Sequence, residues 1–398
     1  MPEQPDSRRL GGGANQTGAR AYNDRLVLSL IRQSGALPKA ELARLTGLSA
    51  QTLTVIVKRL ETEGLLLPTA PIRGRVGQPS VPYALNPRGA LSFGLKIGRR
   101  SAEVVLSDFT GAILDRSVLP YRVPTPELAL TFAETEIARM RDGLSPDEAR
   151  RIIGVGIAMP FDIWNWKYPT GEDASGLDAW RTFDIEEAVT TATGLFVVMA
   201  NDATAACAAE MLVSGGQPYA DFLYIYVGWF IGGGLVLQGS LYPGRRGNSA
   251  AIGSIPINGR DGARQALQIA SLSTLDEATR RAFRRPETLQ RLLSDLDGSG
   301  PLAHWLDSSA RAIAQIIANG SAMLDLQAAF VDGAFPPVFR DVLVRETAEA
   351  YGRLDRRGLS EIDILSGSIG ERARSMGAAI LPILARYSRD SGVLLKTL

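Results

Sequence analysis

Lys39–Gly64, KAELARLTGLSAQTLTVIVKRLETEG, decides how the first part of the chain folds. Its apolar spacing predicts two helices joined by a tight turn. Leu42, Ala43 and Leu45 mark the first, and Ala43 is small enough to let the second cross close above it. Gly47 falls where the chain must turn sharply and a side chain is a liability. Ser49 reads as the N-cap of the second helix, its hydroxyl accepting from an unpaired backbone N–H. Leu53, Ile56, Val57 and Leu60 follow at i, i+3, i+4 and i+7, one clean inner face. The opposite side shows Gln51, Thr54, Val55, Lys58, Arg59 and Thr62. Those side chains suit a duplex: an amide for adenine, methyl surface for thymine, cations for phosphates.

Such a pair alone is equally an ordinary helical hairpin, and its neighbours make the difference. Upstream, Asn23–Ser34 (NDRLVLSLIRQS) supplies a third helix with Leu26, Val27, Leu30 and Ile31 as its stripe. Downstream, Leu65–Pro68 and Ser80–Leu85 read as short strands around IRGRVGQP, Ile72–Pro79. Three helices and a basic hairpin make a winged helix-turn-helix with Ser49–Glu63 as its recognition helix. The candidate DNA contacts are Lys39, Ser49, Gln51, Thr52, Thr54, Val55, Lys58 and Arg59, with Arg73, Arg75 and Gln78 from the wing. Arg73 and Arg75 at the wing tip suit a phosphate backbone or a minor groove.

Charge is distributed to match. Residues 1–90 hold 12 Lys+Arg and 6 Asp+Glu, a net +6, whereas the 398-residue chain as a whole carries +1 and the remainder therefore −5. A basic head on an acidic body keeps duplex contact on the head. One cysteine, Cys207, and one histidine, His304, leave no intrachain disulfide and no Cys/His zinc site. No apolar run is long enough for a bilayer and no secretory signal opens the chain, so a cytoplasmic protein without membrane contact is expected. Residues 1–19 read as a disordered arm, 20–87 as the DNA-binding domain and 88–398 as the body.

The body reads as α/β. Leu91–Gly98, Ser101–Asp108 and Ala112–Tyr121 are three consecutive strands, followed by helix Pro126–Asp142, strand Arg151–Pro160, helix Asp184–Thr193, strand Leu195–Ala200 and helix Asn201–Ser214. Strands Asp221–Gly228 and Gly233–Tyr242 open a second half. There helices dominate Gln265–Arg291, and Ala303–Leu326, Phe335–Tyr351 and Glu371–Tyr387 are helices around strands Ala328–Gly333 and Ile362–Gly370. Three strands and then strand–helix alternation, repeated, predict two lobes with a cleft between them.

Four stretches carry a resemblance to a known family. GVGIAMPFD (Gly154–Asp162), ANDATAACAAE (Ala200–Glu210), GWFIGGGLVLQGSLYPGRRG (Gly228–Gly247) and the opening Ser34–Pro79 resemble motifs of the ROK family of bacterial sugar kinases and transcriptional repressors. The resemblance runs from about Ala21 to the C-terminus. It implies an actin-like ATPase (ribonuclease H-like) fold for the body, and the head points to the repressor branch, since the kinases lack it.

The departures from the family are informative. Where a kinase has DIGGT, this chain has Lys96-Ile97-Gly98-Arg99-Arg100; where it has GTGIGGG, Trp229 and Phe230 replace small residues, and two large rings are expected in the phosphate space. Gly232–Gly234 then read as a tight hairpin, and the nucleotide-side GG has become Ser366-Gly367-Ser368. The sugar-gripping GEIGH is Ala250–Ser254, and the cysteine-rich segment is Asn258–Gln268 without a cysteine, so neither metal nor cofactor is expected. What the resemblance leaves for a ligand is Asn201, Asp202 and Gln268. Asp202 matches the kinases' general base and Asn201 their sugar-orienting group, yet a helix cap needs the same residue types, and both readings stand. FDIWNWK (Phe161–Lys167) and Trp180 read as core or interface.

The expectation is a DNA-binding transcriptional repressor of sugar-related genes. It is not an enzyme, grips a double-stranded operator as a homodimer or homotetramer, and has a cleft open to a small sugar-like effector. Two alternatives stand beside it: an ATP-dependent sugar kinase carrying a DNA module, and a ligand-independent DNA-binding oligomer.

Overall fold

The computed structural model describes residues 16–72, 80–161, 163–165, 175–213, 219–259, 262–283, 285 and 300–388. They form two compact units. The first draws on Met1–Ala90, Asp108–Thr110 and Ile383–Leu398, the second on Leu91–Ser107 and Gly111–Pro382.

In the first unit, helices α1 (Gln16–Ser34), α2 (Lys39–Thr46) and α3 (Ala50–Thr62) precede a small sheet. Strands β1 (Leu37–Pro38), β2 (Leu66–Pro68) and β3 (Pro82–Leu85) pair antiparallel in the order β1-β3-β2. Gly47 ends α2 in the left-handed region at φ 71°, its N–H returning to the Ala43 carbonyl. Two residues later the Ser49 side chain accepts from the Thr52 N–H and starts α3. Leu53, Ile56, Val57 and Leu60 are the buried residues of α3, as the spacing requires. Burying each of these side chains stabilises the head by about 1.5–3 kcal/mol. A bridge between Ile72 and Ser80 closes the base of the wing.

Two details of the head depart from the sequence reading. Helix α1 begins at Gln16, seven residues before Asn23. Once the downstream turns are anchored, each further helical residue costs little, and QTGARAY contains no proline to stop propagation. The buried stripe of α1 is Val27, Leu28 and Ile31, with Leu26 and Leu30 half-buried, because α1 packs on α2, α3 and β3 together. The remainder of this unit is an aromatic clasp. The Phe109 ring meets Tyr387 edge-on at 5.0 Å, and the Arg32 guanidinium lies over Phe109 at 4.8 Å while donating to its carbonyl at 2.7 Å.

The second unit contains two five-stranded sheets of the same topology. In the first, β4 (Leu91–Ile97), β5 (Ser101–Ser107) and β6 (Ile113–Pro120) run antiparallel, and β7 (Ile152–Met159) and β8 (Val197–Asn201) join β4 in parallel. In the second, β9 (Phe222–Val227), β10 (Ile231–Leu237) and β11 (Ser240–Leu241) run antiparallel, and β14 (Ala328–Gly333) and β15 (Asp363–Ser366) join β9 in parallel. The orders β6-β5-β4-β7-β8 and β11-β10-β9-β14-β15 are one motif used twice. Ahead of the helical stretch expected from Gln265, the described residues add a hairpin, β12 (Pro256–Gly259) with β13 (Gly262–Gln265), that the sequence reading does not contain. The short helical turns Ala266–Gln268 and Leu272–Thr274 and the helix Glu277–Ala282 then follow as expected.

Small residues set the spacing between layers. Helix Asp202–Val213 is rich in alanine and buries Cys207 completely. Gly232–Gly234 lie within β10 rather than in a hairpin turn, since a Cβ on Gly234 would sit 2.2 Å from the Cys207 Cβ. The helix Ala373–Tyr387 comes closer still: a Cβ on Gly377 would stand 1.8 Å from the Ala205 carbonyl oxygen. No helix among the described residues is long and apolar enough to cross a membrane.

Gly377→Ala should therefore destabilise the body by about 1–3 kcal/mol or more, because backbone and not a flexible side chain stands in the way. At Gly352 an added Cβ meets nothing within 4 Å, and Gly352→Ala should stay within about 0.5 kcal/mol of the parent. Denaturant melts of the two variants provide the comparison, and equal stabilities would refute the close-approach account.

Candidate nucleic-acid interface and body cleft

The outward side of α3 follows from the burial of its inner side. Gln51, Thr52, Thr54, Val55 and Lys58 are all exposed, Val55 at 59 %. An exposed valine among polar groups offers methyl surface of the kind that meets a thymine methyl. The Thr52 and Ser49 hydroxyls stand 2.8 Å apart, and the Thr54 and Thr62 hydroxyls donate to the Ala50 and Lys58 carbonyls at 2.8 Å. These hydroxyls keep an accepting lone pair for an outside donor.

Arg59 behaves differently from its neighbours. Its guanidinium turns inward to the Asp24 carboxylate of α1, and both side chains are largely covered. Burial raises the Asp24 pKa ahead of the opposing pull of Arg59. Arg59 thus fixes the angle of α3 on α1. Lys39 is half-buried, its ammonium 5.3 Å from the Tyr83 ring centroid, which ties the start of α2 to β3. Arg73, Arg75 and Gln78 lie outside the described residues. Sequence reasoning missed a groove of about 490 Å³ between α1 and α3, where Arg20 and Asn23 face Gln51, Thr52, Val55 and Arg59. Arg20 stands one turn before Asp24 on α1, so a helix started earlier would have found it.

In the body, Asn201 and Asp202 have separate partners. The Asn201 side-chain oxygen accepts from the Ala203 N–H at 3.0 Å, the capping role. Asp202 instead accepts from Arg374 Nη1 at 3.2 Å, with side chains 18 % and 17 % exposed. The Arg374 guanidinium also lies 5.0 Å from the Tyr226 ring. Burial by itself would lower the Arg374 pKa, but Tyr226 and Asp202 outweigh it and push it up. Lys96 is buried beside them, donating to Glu103 Oε1 at 3.2 Å and to the Ser101 hydroxyl at 3.3 Å. Arg116 takes the other Glu103 oxygen with two N–H groups. Burial and then the nearby Arg374 charge lower the Lys96 pKa. Gln268 is exposed, its amide oxygen accepting from the Gln265 N–H at 3.2 Å, a local turn contact.

The loops that correspond to the kinase motifs make their contacts within the chain. Trp229, in the β9–β10 turn, has two guanidiniums over its ring, Arg99 at 4.7 Å and Arg280 at 5.0 Å from the centroid. The Gly228 N–H donates to the Phe230 carbonyl and the Ile231 N–H to the Ser271 hydroxyl, so these donors of the turn are spent internally. At the far loop the Ser368 N–H donates to Glu210 and the Gly370 N–H to Asp332. Carboxylates thus hold backbone donors that a phosphate would need. Trp180 is core, its indole N–H donating to the Pro124 carbonyl at 2.8 Å. Trp166 and Lys167 lie outside the described residues.

Residues 92–383 match the model of the ROK family, and residues 20–66 match that of a winged helix-turn-helix DNA-binding domain. The chain is 24 % identical to an uncharacterized protein, y4fQ, of Sinorhizobium fredii, over 92 % of each chain. It is 25 % identical to transcriptional regulator Rv0485 of Mycobacterium tuberculosis, over 92 % of this chain and 86 % of that one. The xylose repressor of Bacillus subtilis is 23 % identical over 62 % of this chain and 63 % of its own length. Among solved structures, a ROK family transcriptional regulator described as a homolog of the E. coli MLC protein superposes with a TM-score of 0.65. It is 19 % identical, over 93 % of this chain and 97 % of that one. A ROK family glucokinase from Streptomyces griseus gives 0.54 at 23 % identity, over 73 % of this chain and 99 % of that one.

Glu210 supplies a test of this internal pairing. Burial, foremost, raises its pKa from 4.5 to about 7. The folded state therefore holds the proton more tightly than the unfolded chain. That contribution to stability is complete below pH 4.5 and is lost as pH rises through about 7. Glu210→Gln keeps an acceptor for Ser368 and cannot ionise. Its melting temperature relative to the parent should climb by about 2 °C or more between pH 5 and pH 8. An offset independent of pH in calorimetry would argue against a carboxyl that titrates there.

Proposed function

The chain belongs to the ROK family, and from that membership and its winged helix-turn-helix we propose that it is a sequence-specific transcriptional regulator, a repressor of sugar-related genes. The observation that carries this reading is the exposed polar face of α3, with Gln51, Thr54, Val55 and Lys58 presented together above a buried apolar face. The names of the similar proteins, a xylose repressor and transcriptional regulators, support it. The small head buries too little surface for specific affinity by itself, so the body serves as the dimerisation unit that fixes half-site spacing. Working on DNA, the protein acts in the cytoplasm.

We read the body as a former phosphotransferase without phosphotransfer. In the kinase reading Asp202 takes a proton from a sugar hydroxyl, and for that it must face the sugar. Here its carboxylate faces Arg374. The nucleotide loops carry Lys96 where an acid would organise magnesium, and Trp229 with two arginines over its ring. A small sugar-like effector reaching Asn201 and Asp202 would compete with Arg374 for the carboxylate and so alter lobe closure.

Lys58→Ala should weaken operator binding and flatten its salt dependence by about one unit of slope, because one phosphate contact is lost. An unchanged salt series would remove α3 from the interface. A coupled ADP-release assay over a panel of sugars should give no turnover, and turnover abolished in Asp202→Asn would establish a kinase instead. Thermal-shift screening with neutral sugars and sugar acids tests the effector: one ligand at 100 times its Kd stabilises by about 2.7 kcal/mol. Silence across the panel would favour the ligand-independent oligomer.

A further inference from the structure

We propose that the groove between α1 and α3 is a second DNA-binding element, which receives one phosphodiester strand of the duplex with Arg20 as its phosphate contact. This rests on the DNA-binding reading of α3 and extends it to the first helix of the head, which the sequence reading gave no DNA contact. The groove shares Gln51, Thr52 and Val55 with the outward face of α3. A duplex that admits those residues to its major groove must lay a bordering strand along whatever flanks α3. The flanking wall on this side is the first two turns of α1, with Arg20 and Asn23.

The chemistry of the walls suits a phosphate strand. Arg20 is exposed and cationic, and Asn23, Gln51 and Thr52 add neutral donors. Among the described residues no carboxylate lines the groove. The nearest acid on α1, Asp24, is bound to Arg59 at its edge. Ala19 and Val55 supply apolar surface of the kind deoxyribose packs on. Phosphate contacts position a protein on the duplex without reading its sequence. Arg20 therefore sets how deeply and at what angle α3 enters, and the Asp24–Arg59 pair holds the two walls at a fixed separation.

Because such contacts are sequence-independent, the full chain can be tested on a fluorescein-labelled 24-base-pair duplex of arbitrary sequence across a series of salt concentrations. Arg20→Gln should lower the slope of log affinity against log salt by about 0.9 and weaken binding several-fold at low salt. Asn23→Ala should weaken binding with the slope unchanged. Lys58→Gln in the same assay tests the parent reading separately. If Lys58→Gln flattens the slope and Arg20→Gln does not, the groove is no DNA wall. If the parent protein binds no duplex at any salt, both readings fall together. As a second measurement, Arg20→Cys can be modified with a photo-crosslinker, because Cys207 is fully buried. The modified protein should crosslink to the duplex on irradiation, and absence of crosslinking while binding persists would also overturn the proposal. Melting temperature confirms that these surface substitutions leave the fold intact.

Discussion

A reading helix can offer a polar face to DNA only if its other face is held, and everything the head does depends on that hold. Leu53, Ile56, Val57 and Leu60 provide it without direction, since hydrophobic burial fixes which side faces in but tolerates small rotations. The Asp24–Arg59 pair adds direction, joining α3 to α1 at one place. A largely covered ion pair is a poor source of net stability but leaves a costly unpaired charge when broken, which makes it suited to fixing geometry. Arg59 is therefore better understood as part of the frame than as a contact, even though it stands on the same helix as Lys58.

The body shows the same principle turned to a different end. Its two sheets repeat one topology, and the close approaches at Gly234 and Gly377 keep the layers packed. Among the described residues of the body, groups that could serve chemistry serve one another: Asp202 with Arg374, Lys96 with Glu103, Gly370 and Ser368 with carboxylates.

Much of this was legible in the amino-acid order. The helix-turn-helix was readable because its determinants are local: a glycine at the turn, a serine cap and an apolar spacing that leaves one possible inner face. The strands of the body were readable for the same reason, down to helix Pro126–Asp142 and strand Ala328–Gly333 at their observed limits. The hairpin Pro256–Gln265 was not, since β13 is exposed along its length and, among the described residues, β12 buries only Ile257, too short an alternation to read. Nor was the extent of α1, where propagation from a packed helix outran any local signal.

The sequence by itself determined the class of each element and which side of it is apolar, because those follow from spacing a few residues apart. It also determined that Lys96, Trp229 and Phe230 stand at positions where the resembled kinase motifs have other residues, because identity at a motif position needs no geometry. Only the tertiary structure decided what the charged groups do. Asp24 and Arg59 are 35 positions apart, and Asp202 and Arg374 are 172 apart. Whether such a group faces solvent, a ligand or its opposite charge depends on which distant segment the packing brings within about 3 Å, and composition or periodicity carries no record of that.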